Sequence, residues 1–347
     1  MEPLAEDEQR LWTEPGIYSV APGVYRIPLP LPNDGLRAVN VYAITNGTEL
    51  AMVDSGWALT EAREQLAACL KGIGAELGDV SQFLVTHMHR DHYTMAVALR
   101  REFGNRVGLG EHEETSLRLT ADPDFSPLRS NEKRLWPAGA EPVMAELRKI
   151  LGDRTPLMQR DLWEMPDEWL TQGRRTVMAD RALDVVHTPG HTTGHVVFDD
   201  GAAGLMFTGD HVLPHITPSI GLQPGSSEMP LKDFLGSLHL VRGMPDRRML
   251  PAHGPVSPSV HQRVDELLEH HEQRLATTAD AIVAGATTAY EAALRLGWTR
   301  RQRKLAELDP FNQTLAVTET MAHLDLLVYQ GRLRVSTVDA VKHYALP

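Results

Sequence analysis

The segment Phe83-Leu84-Val85-Thr86-His87-Met88-His89-Arg90-Asp91-His92 runs from an apolar stretch straight into four potential metal ligands within six residues. The apolar part reads as a strand. Two histidines spaced i and i+2 beyond its end can face one cation, while Asp91 and His92 turn back toward a second. Imidazole with carboxylate, and no thiolate, suits zinc, with iron or manganese as alternatives.

Upstream, residues 24–27, 39–44 and 50–53 read as short strands, the last ending in Asp54-Ser55-Gly56, and Asn46-Gly47 marks a hairpin between the second and third. A helix over 59–70 follows and is stopped by Lys71-Gly72-Ile73-Gly74; residues 94–103 read as another. Strand, helix, strand, ligand loop, helix is the rhythm of a layered α/β domain. From Glu111 to Gln172 the texture shifts to Pro, charge, Met and Trp, which predicts short helices. Such an insertion shapes a pocket or a dimer contact, with Trp136, Trp163 and Trp169 either packing it or walling the pocket.

Strands return at 183–186, 195–198 and 205–207. Past Pro255 the apolar spacing of Val264, Leu267, Leu268 and Leu275 predicts a helix over 260–284, with further helices near 288–296 and 313–330. Gly331-Arg332-Leu333-Arg334-Val335 could close a small wing, so a helical tail over 257–347 is expected.

The chain of 347 residues can bury one large core or two ordinary ones, and its 42% hydrophobic and 23% charged content is that of a globular protein. A net charge of −12 opposes loose, charge-driven attachment to nucleic acid or an anionic membrane surface. The acidic start Met1-Glu2-Pro3-Leu4-Ala5-Glu6-Asp7-Glu8 lacks the pattern of a signal peptide, and no apolar run reaches the length of a membrane span, so a cytoplasmic location is expected. Cys69 is the only cysteine, which excludes an intramolecular disulfide; on the first helix it reads as a small buried hydrophobe.

Three later segments repeat the device of the first. Thr188-Pro189-Gly190-His191-Thr192-Thr193-Gly194-His195 sets a histidine in a Gly-rich turn after a strand, Phe207-Thr208-Gly209-Asp210 does the same with a carboxylate, and Pro251-Ala252-His253-Gly254 does it again with a histidine. Any one of the 16 histidines, taken alone, reads as a packing or solvated group. Their ordered set carries the argument.

The order His-x-His-x-Asp-His, Gly-His, Gly-Asp, His-Gly resembles that of the metallo-β-lactamase-fold hydrolases, over about 24–256. The resemblance implies a four-layer αββα sandwich over 1–256, interrupted by the helical insertion at 111–172 and followed by a winged-helix-like domain at 257–347. It implies that His87, His89 and His191 hold one divalent metal, that Asp91, His92 and His253 hold the second, and that Asp210 bridges, with Asp91 and Asp210 as the catalytic carboxylates. Two such cations, expected to be zinc, share a bridging water, lower its pKa and supply a hydroxide nucleophile. Asp54 resembles a structural support beneath the ligand loop. His195, His211 and His215 read as supporting or packing groups, and Tyr93 as a packing residue or a donor to a substrate oxygen.

Thr94 and Met95 stand where the family commonly has Gly, and Ala252 precedes His253 where Gly is frequent. The bridging Asp210 argues against a true β-lactamase, His89 against a flavodiiron protein, and the short interval from Asp210 to His253 against the β-CASP nucleases. What remains is similar to the hydroxyacylglutathione-hydrolase-like branch, and most to the β-lactamase-like protein 2 subgroup. The expected reaction is hydrolysis of a thioester or ester of a small acyl substrate. A single-strand-directed endoribonuclease, cued by Arg300-Arg301-Gln302-Arg303-Lys304, and a mononuclear iron dioxygenase acting on a persulfide are the alternatives.

Overall fold

The computed structural model of the chain describes residues 2–6, 10–32, 35–151 and 160–347. One sheet runs in sequential order through β1 (Leu4–Ala5), β2 (Tyr18–Ala21), β3 (Val24–Pro30), β4 (Ala38–Thr45), β5 (Leu50–Val53), β6 (Gln82–Val85), β7 (Arg106–Gly110) and β8 (Glu168–Leu170). From β5 to β8 the strands are parallel. The second sheet holds β9 (Gly173–Met178), β10 (Arg181–His187), β11 (Val196–Asp200), β12 (Leu205–Gly209) and β13 (Arg248–Pro251), antiparallel except for the pair of β12 with β13.

The two sheets stack because their strands alternate apolar side chains between faces. Ala51, Val53 and Leu84 of the first sheet meet Phe198, Phe207 and Leu250 of the second in one buried cluster. Met52, Phe83 and Val85 point the other way, into a core shared with Leu66 and Cys69 of α1 (Thr60–Gly72) and with Val97 and Leu99 of α2 (Arg90–Phe103). On the far side, Val197, Met206 and Met249 are buried beneath helices of the second half of the chain. Helix, sheet, sheet, helix is the expected αββα order.

α2 begins four residues before the predicted start. His89 is its N-cap, and its carbonyl accepts the N–H groups of His92 and Tyr93. Asp91 therefore sits in the first turn, where a carboxylate complements the helix dipole. The ligand loop and the helix are one element.

The stretch 111–172 is not helical throughout. It carries α3 (Glu114–Ala121), α4 (Pro127–Leu135) and α5 (Glu141–Leu151), but its end returns as β8 and pairs in parallel with β7. Three residues, Glu168-Trp169-Leu170, are too short a signal to register as a strand. Residues 152–159 of the expected insertion lie outside the described residues. Trp163 is buried in the first-sheet core and Trp169 packs at its edge, whereas Trp136 is half exposed and donates its indole N–H to the Asp339 carbonyl.

The sequence reading missed α6 (Pro230–Gly243), although Leu231, Phe234, Leu238 and Val241 recur at helical spacing behind a proline at the first turn. α7 (Val260–Val283), α8 (Ala289–Arg295) and α9 (Pro310–Tyr329) fall within a residue or a few of expectation. α9 is followed by a hairpin of β14 (Arg334–Val338) and β15 (Val341–Ala345). Leu267 and Leu275 of α7 and Leu324 and Leu327 of α9 share one core with Val143 and Met144 of α5 and with the outer face of the second sheet. No helix among the described residues is long and apolar enough to cross a membrane.

Candidate metal centre

The chain ends of β6, β12 and β13 deliver ligands to one edge of the sandwich, and the turn after β10 supplies a fourth set. The turns are tied to each other by backbone hydrogen bonds: Val196 N–H donates to Thr86 O at 2.9 Å and Ala252 N–H to Gly209 O at 3.1 Å. Asn40, fully buried on β4, donates through Nδ2 to Pro251 O at 3.0 Å and Gly254 O at 2.8 Å, clamping the turn that carries His253.

All seven side chains expected as ligands converge, in two adjoining groups. The first is His87, His89, His191 and Asp210; the second is Asp91, His92 and His253. In the first, His89 Nδ1 stands 3.0 Å from His87 Nε2 and 3.1 Å from His191 Nε2, and Asp210 Oδ2 lies 3.5 Å from His191 Nε2. In the second, His253 Nε2 lies 3.4 Å and His92 Nε2 3.6 Å from Asp91 Oδ2. Ligand atoms around a tetrahedral cation with bonds of 2.0–2.1 Å stand about 3.3 Å apart. Asp210 also faces the second group, its other oxygen, Oδ1, lying 3.4 Å from His253 Nε2 and 3.7 Å from His92 Nε2.

The hydrogen bonds outside the cluster fix the tautomers. Nδ1–H of His92 donates to Asp54 Oδ2 at 2.9 Å, that of His191 to Ser219 O at 2.8 Å and that of His253 to Ala38 O at 2.8 Å. The Thr86 hydroxyl gives its proton to Asp54 at 3.0 Å, so it accepts from His87 Nδ1 at 3.1 Å. Each arrangement leaves an Nε2 lone pair turned inward, the form that ligates a metal. Asp54 is held at φ 58, a left-handed conformation that a short acidic side chain tolerates better than most.

Nε2 of His92, Nε2 of His253 and Oδ1 of Asp210 are buried and have no hydrogen-bond partner. Leaving such atoms bare costs about 1–3 kcal/mol each. All three face the Asp91, His92, His253 group, and a divalent cation there would satisfy them, so the donor set fits a metal. The electrostatics agree in direction. Burial alone would push the His92 and His253 imidazolium forms down, but the carboxylates of Asp54, Asp91 and Asp210 around His92, and of Asp210 and Asp91 around His253, hold both above the usual histidine range. Burial would raise Asp91 and Asp210, and the neighbouring imidazoles pull both below the usual carboxylate range. Positive charge is therefore favoured in the second group, whereas burial and the neighbouring imidazoles hold His87, His89 and His191 of the first group below the usual histidine range.

Of the seven, His89 and Asp91 alone are partly exposed, so the site opens on that side. His195 is fully buried and accepts the Asp210 N–H; His211 is fully buried against Phe234; His215 is exposed and offers its carbonyl to Arg300. None of the three joins either group. Tyr93 is a packing residue, its hydroxyl donating to Glu164 O at 2.6 Å. The Thr94 hydroxyl accepts the Ala58 N–H from the loop before α1. Asn40, Thr86, Thr188, Ser219 and Glu113 support the site without having been singled out from sequence; backbone acceptors such as Ala38 O leave no trace in residue type.

A groove of about 720 Å³, lined by Glu111, Glu114, Trp169, His187 and Asp233 among others, contains none of the seven residues. It lies behind the His191 turn, sharing Pro189 and Thr193 with it. Of the 111–172 stretch, Glu111, His112, Glu114, Thr115 and Trp169 line this groove.

A sequence profile of the metallo-beta-lactamase superfamily matches residues 34–253. The probable metallo-hydrolase YqjP of Bacillus subtilis is 23% identical over 87% of this chain and 90% of its own length. A beta-lactamase-like protein 2 homolog of Drosophila melanogaster is 23% identical over 69% of this chain and 66% of its own. The atrochrysone carboxyl ACP thioesterase of Aspergillus fumigatus is 24% identical over 70% of this chain, which spans 44% of that protein. Among solved structures, a beta-lactamase domain protein from Burkholderia ambifaria superimposes with a TM-score of 0.79 at 27% identity, covering 95% of this chain and 94% of that one. With the profile spanning well over half of the sequence and the seven side chains gathered at the edge where the sheets meet, the chain belongs to the metallo-beta-lactamase superfamily.

Proposed function

We propose that the protein is a metal-dependent hydrolase with a dinuclear centre that cleaves a thioester or ester of a small acyl substrate. The observation that carries the dinuclear reading is Asp210, whose two oxygens face one ligand group each. Divalent cations, when bound, act as Lewis acids and lower the pKa of water toward neutrality. The chain's own residues do the rest. His87, His89 and His191 would hold one cation, Asp91, His92 and His253 the other, and Asp210 would fix their spacing and offset part of their charge. The partly exposed edge at His89 and Asp91 admits the scissile group. Zinc suits the imidazole-rich set, with iron and manganese as competitors.

The acyl preference is supported by the similarity to a protein named as an acyl-carrier thioesterase. The chain's net charge of −12 favours it further over a polyanionic substrate. The helices after 257 with the β14–β15 hairpin are the winged-helix-like unit of this reading. Elemental analysis should give two cations per chain, and the reconstituted protein should hydrolyse members of a panel of acyl-thioesters, esters and lactones, with D210A inactive. Failure on the whole panel at full metal content rejects the acyl reading. One iron per chain with oxygen consumption would replace it by the persulfide reaction.

A second reading, single-stranded RNA cleavage, is favoured by one observation: Arg300, Arg301 and Arg303 are exposed on a loop whose Arg300 docks against His215, five residues beyond Asp210. Salt-sensitive RNA binding lost on neutralising these arginines would establish it.

A further inference from the structure

Glu113 is fully buried at the end of the short turn Glu111–Glu113 that follows β7. It lies in none of the ligand motifs. One of its carboxylate oxygens, Oε1, accepts the backbone N–H of Met88, the residue between His87 and His89, at 3.4 Å, and also the hydroxyl of Thr192, the residue after His191. The other, Oε2, accepts Nε2 of Gln223 at 2.6 Å. Gln223, itself buried, accepts in turn the N–H of Thr193 at 2.8 Å and the Thr193 hydroxyl at 3.1 Å. A single carboxylate thus joins two turns that are about a hundred residues apart in sequence, and each of those turns carries ligands of the same group.

The backbone is built to bring Glu113 there. A Cβ on Gly194 would stand 2.1 Å from Glu113 N, and one on Gly110 would stand 2.1 Å from Gly194 O. Neither position admits any other residue without moving the chain. Burial pushes the Glu113 carboxyl up to about 7, against the pull of the hydrogen bonds from Thr192, Gln223 and Met88. Keeping an acid here works against solvation, and an apolar residue would leave three buried donors unpaired.

We infer that Glu113 is a positioning residue that locks the His87–His89 turn to the His191 turn and so preorganises the first cation group, while leaving the Asp91, His92, His253 group alone. The inference rests on the metal reading above, and its test separates the two. E113Q keeps the shape but turns an amide donor toward Gln223 or Thr192, which are donors themselves. In an H253A background, where the first group is the intact one, E113Q should lower zinc affinity about 10–100-fold by chelator competition and shift the cobalt(II) absorption bands. In an H89A background, where the second group is intact, it should change affinity by less than about threefold. T192V, isosteric and lacking one donor, should reproduce the selective loss in milder form if E113Q folds poorly.

Equal losses in both backgrounds, or no loss in either, overturn the inference. Amide exchange on the metal-free single variant gives a readout without any cation: Met88 and Thr193 should exchange at least about tenfold faster in E113Q than in the parent. Unchanged protection also overturns it. A parent that binds no metal while E113Q still loosens those amides would sink the metal reading and leave the lock standing.

Discussion

Nε2 of His195 accepts the backbone N–H of Asp210 at 3.1 Å, and Nδ1–H of the same ring donates to Thr188 Oγ1 at 2.9 Å. A histidine in a Gly-rich turn beside a metal cluster is thereby consumed by two hydrogen bonds and has no lone pair left for a cation. Its work is to aim the Asp210 carboxylate. H195A should keep two cations per chain in elemental analysis while affinity falls about 10–100-fold, and H195Q, which offers an acceptor oxygen, should recover part of the loss. A drop to one cation would make His195 a ligand and refute this assignment.

Gly209 is the hinge on which that geometry turns. It adopts φ 51, and a Cβ there would stand 2.6 Å from His195 Nε2 and 2.8 Å from Thr86 Cβ. G209A therefore combines a strained backbone with overpacking of two buried, hydrogen-bonded neighbours, and a cost on the order of 2–5 kcal/mol is expected. Denaturant titration of metal-free protein measures it. A loss below about 1 kcal/mol would show that the turn relaxes freely.

How far the sequence foretold this site depends on what kind of contact each residue makes. The gathering of His87, His89, Asp91, His92, His191, Asp210 and His253 was legible because each sits in a turn at a strand end, and that pattern is written in residue types. Of the strands that deliver them, β6, β10 and β12 were legible through apolar runs, whereas β13 was given no range. Glu113 was not, because a buried acid in a stretch rich in acids looks solvated until the fold places it between two turns. Nor was the role of Asn40, whose partners are carbonyls more than two hundred residues away. β8 escaped because its burial is set by its neighbour β7 rather than by its own three residues. Local pattern reveals what a residue offers; only the fold reveals who accepts it.

Cys69 lies fully buried on α1, its Sγ–H donating to Gly16 O at 3.3 Å, and burial pushes its thiol up to about 11. At pH 8 the thiolate is a minute fraction and no reagent can reach it. The native protein should resist a thiol-specific disulfide reagent for hours and react stoichiometrically once unfolded by guanidinium. Fast labelling of the folded chain would mean that α1 opens away from the sheet.

Asp54 offers the sharpest separation of folding from metal binding. Its Oδ1 accepts the Thr86 N–H at 2.8 Å and its Oδ2 accepts His92 Nδ1–H at 2.9 Å, all in a left-handed backbone. D54A removes both acceptors and leaves buried donors unpaired, for an expected loss of about 3 kcal/mol or more. D54N is different, because asparagine tolerates the backbone and its carbonyl oxygen can still serve Thr86. Its amide, however, turns a donor toward His92 Nδ1, which must then accept, so the ring proton moves to Nε2 and caps the lone pair that faces Asp91 and Asp210. D54N should therefore fold with near-parental stability while the second cation's affinity drops about 10–100-fold and the first cation's is kept. A D54N protein that holds both cations as tightly as the parent would show that the tautomer of His92 is set by something other than Asp54.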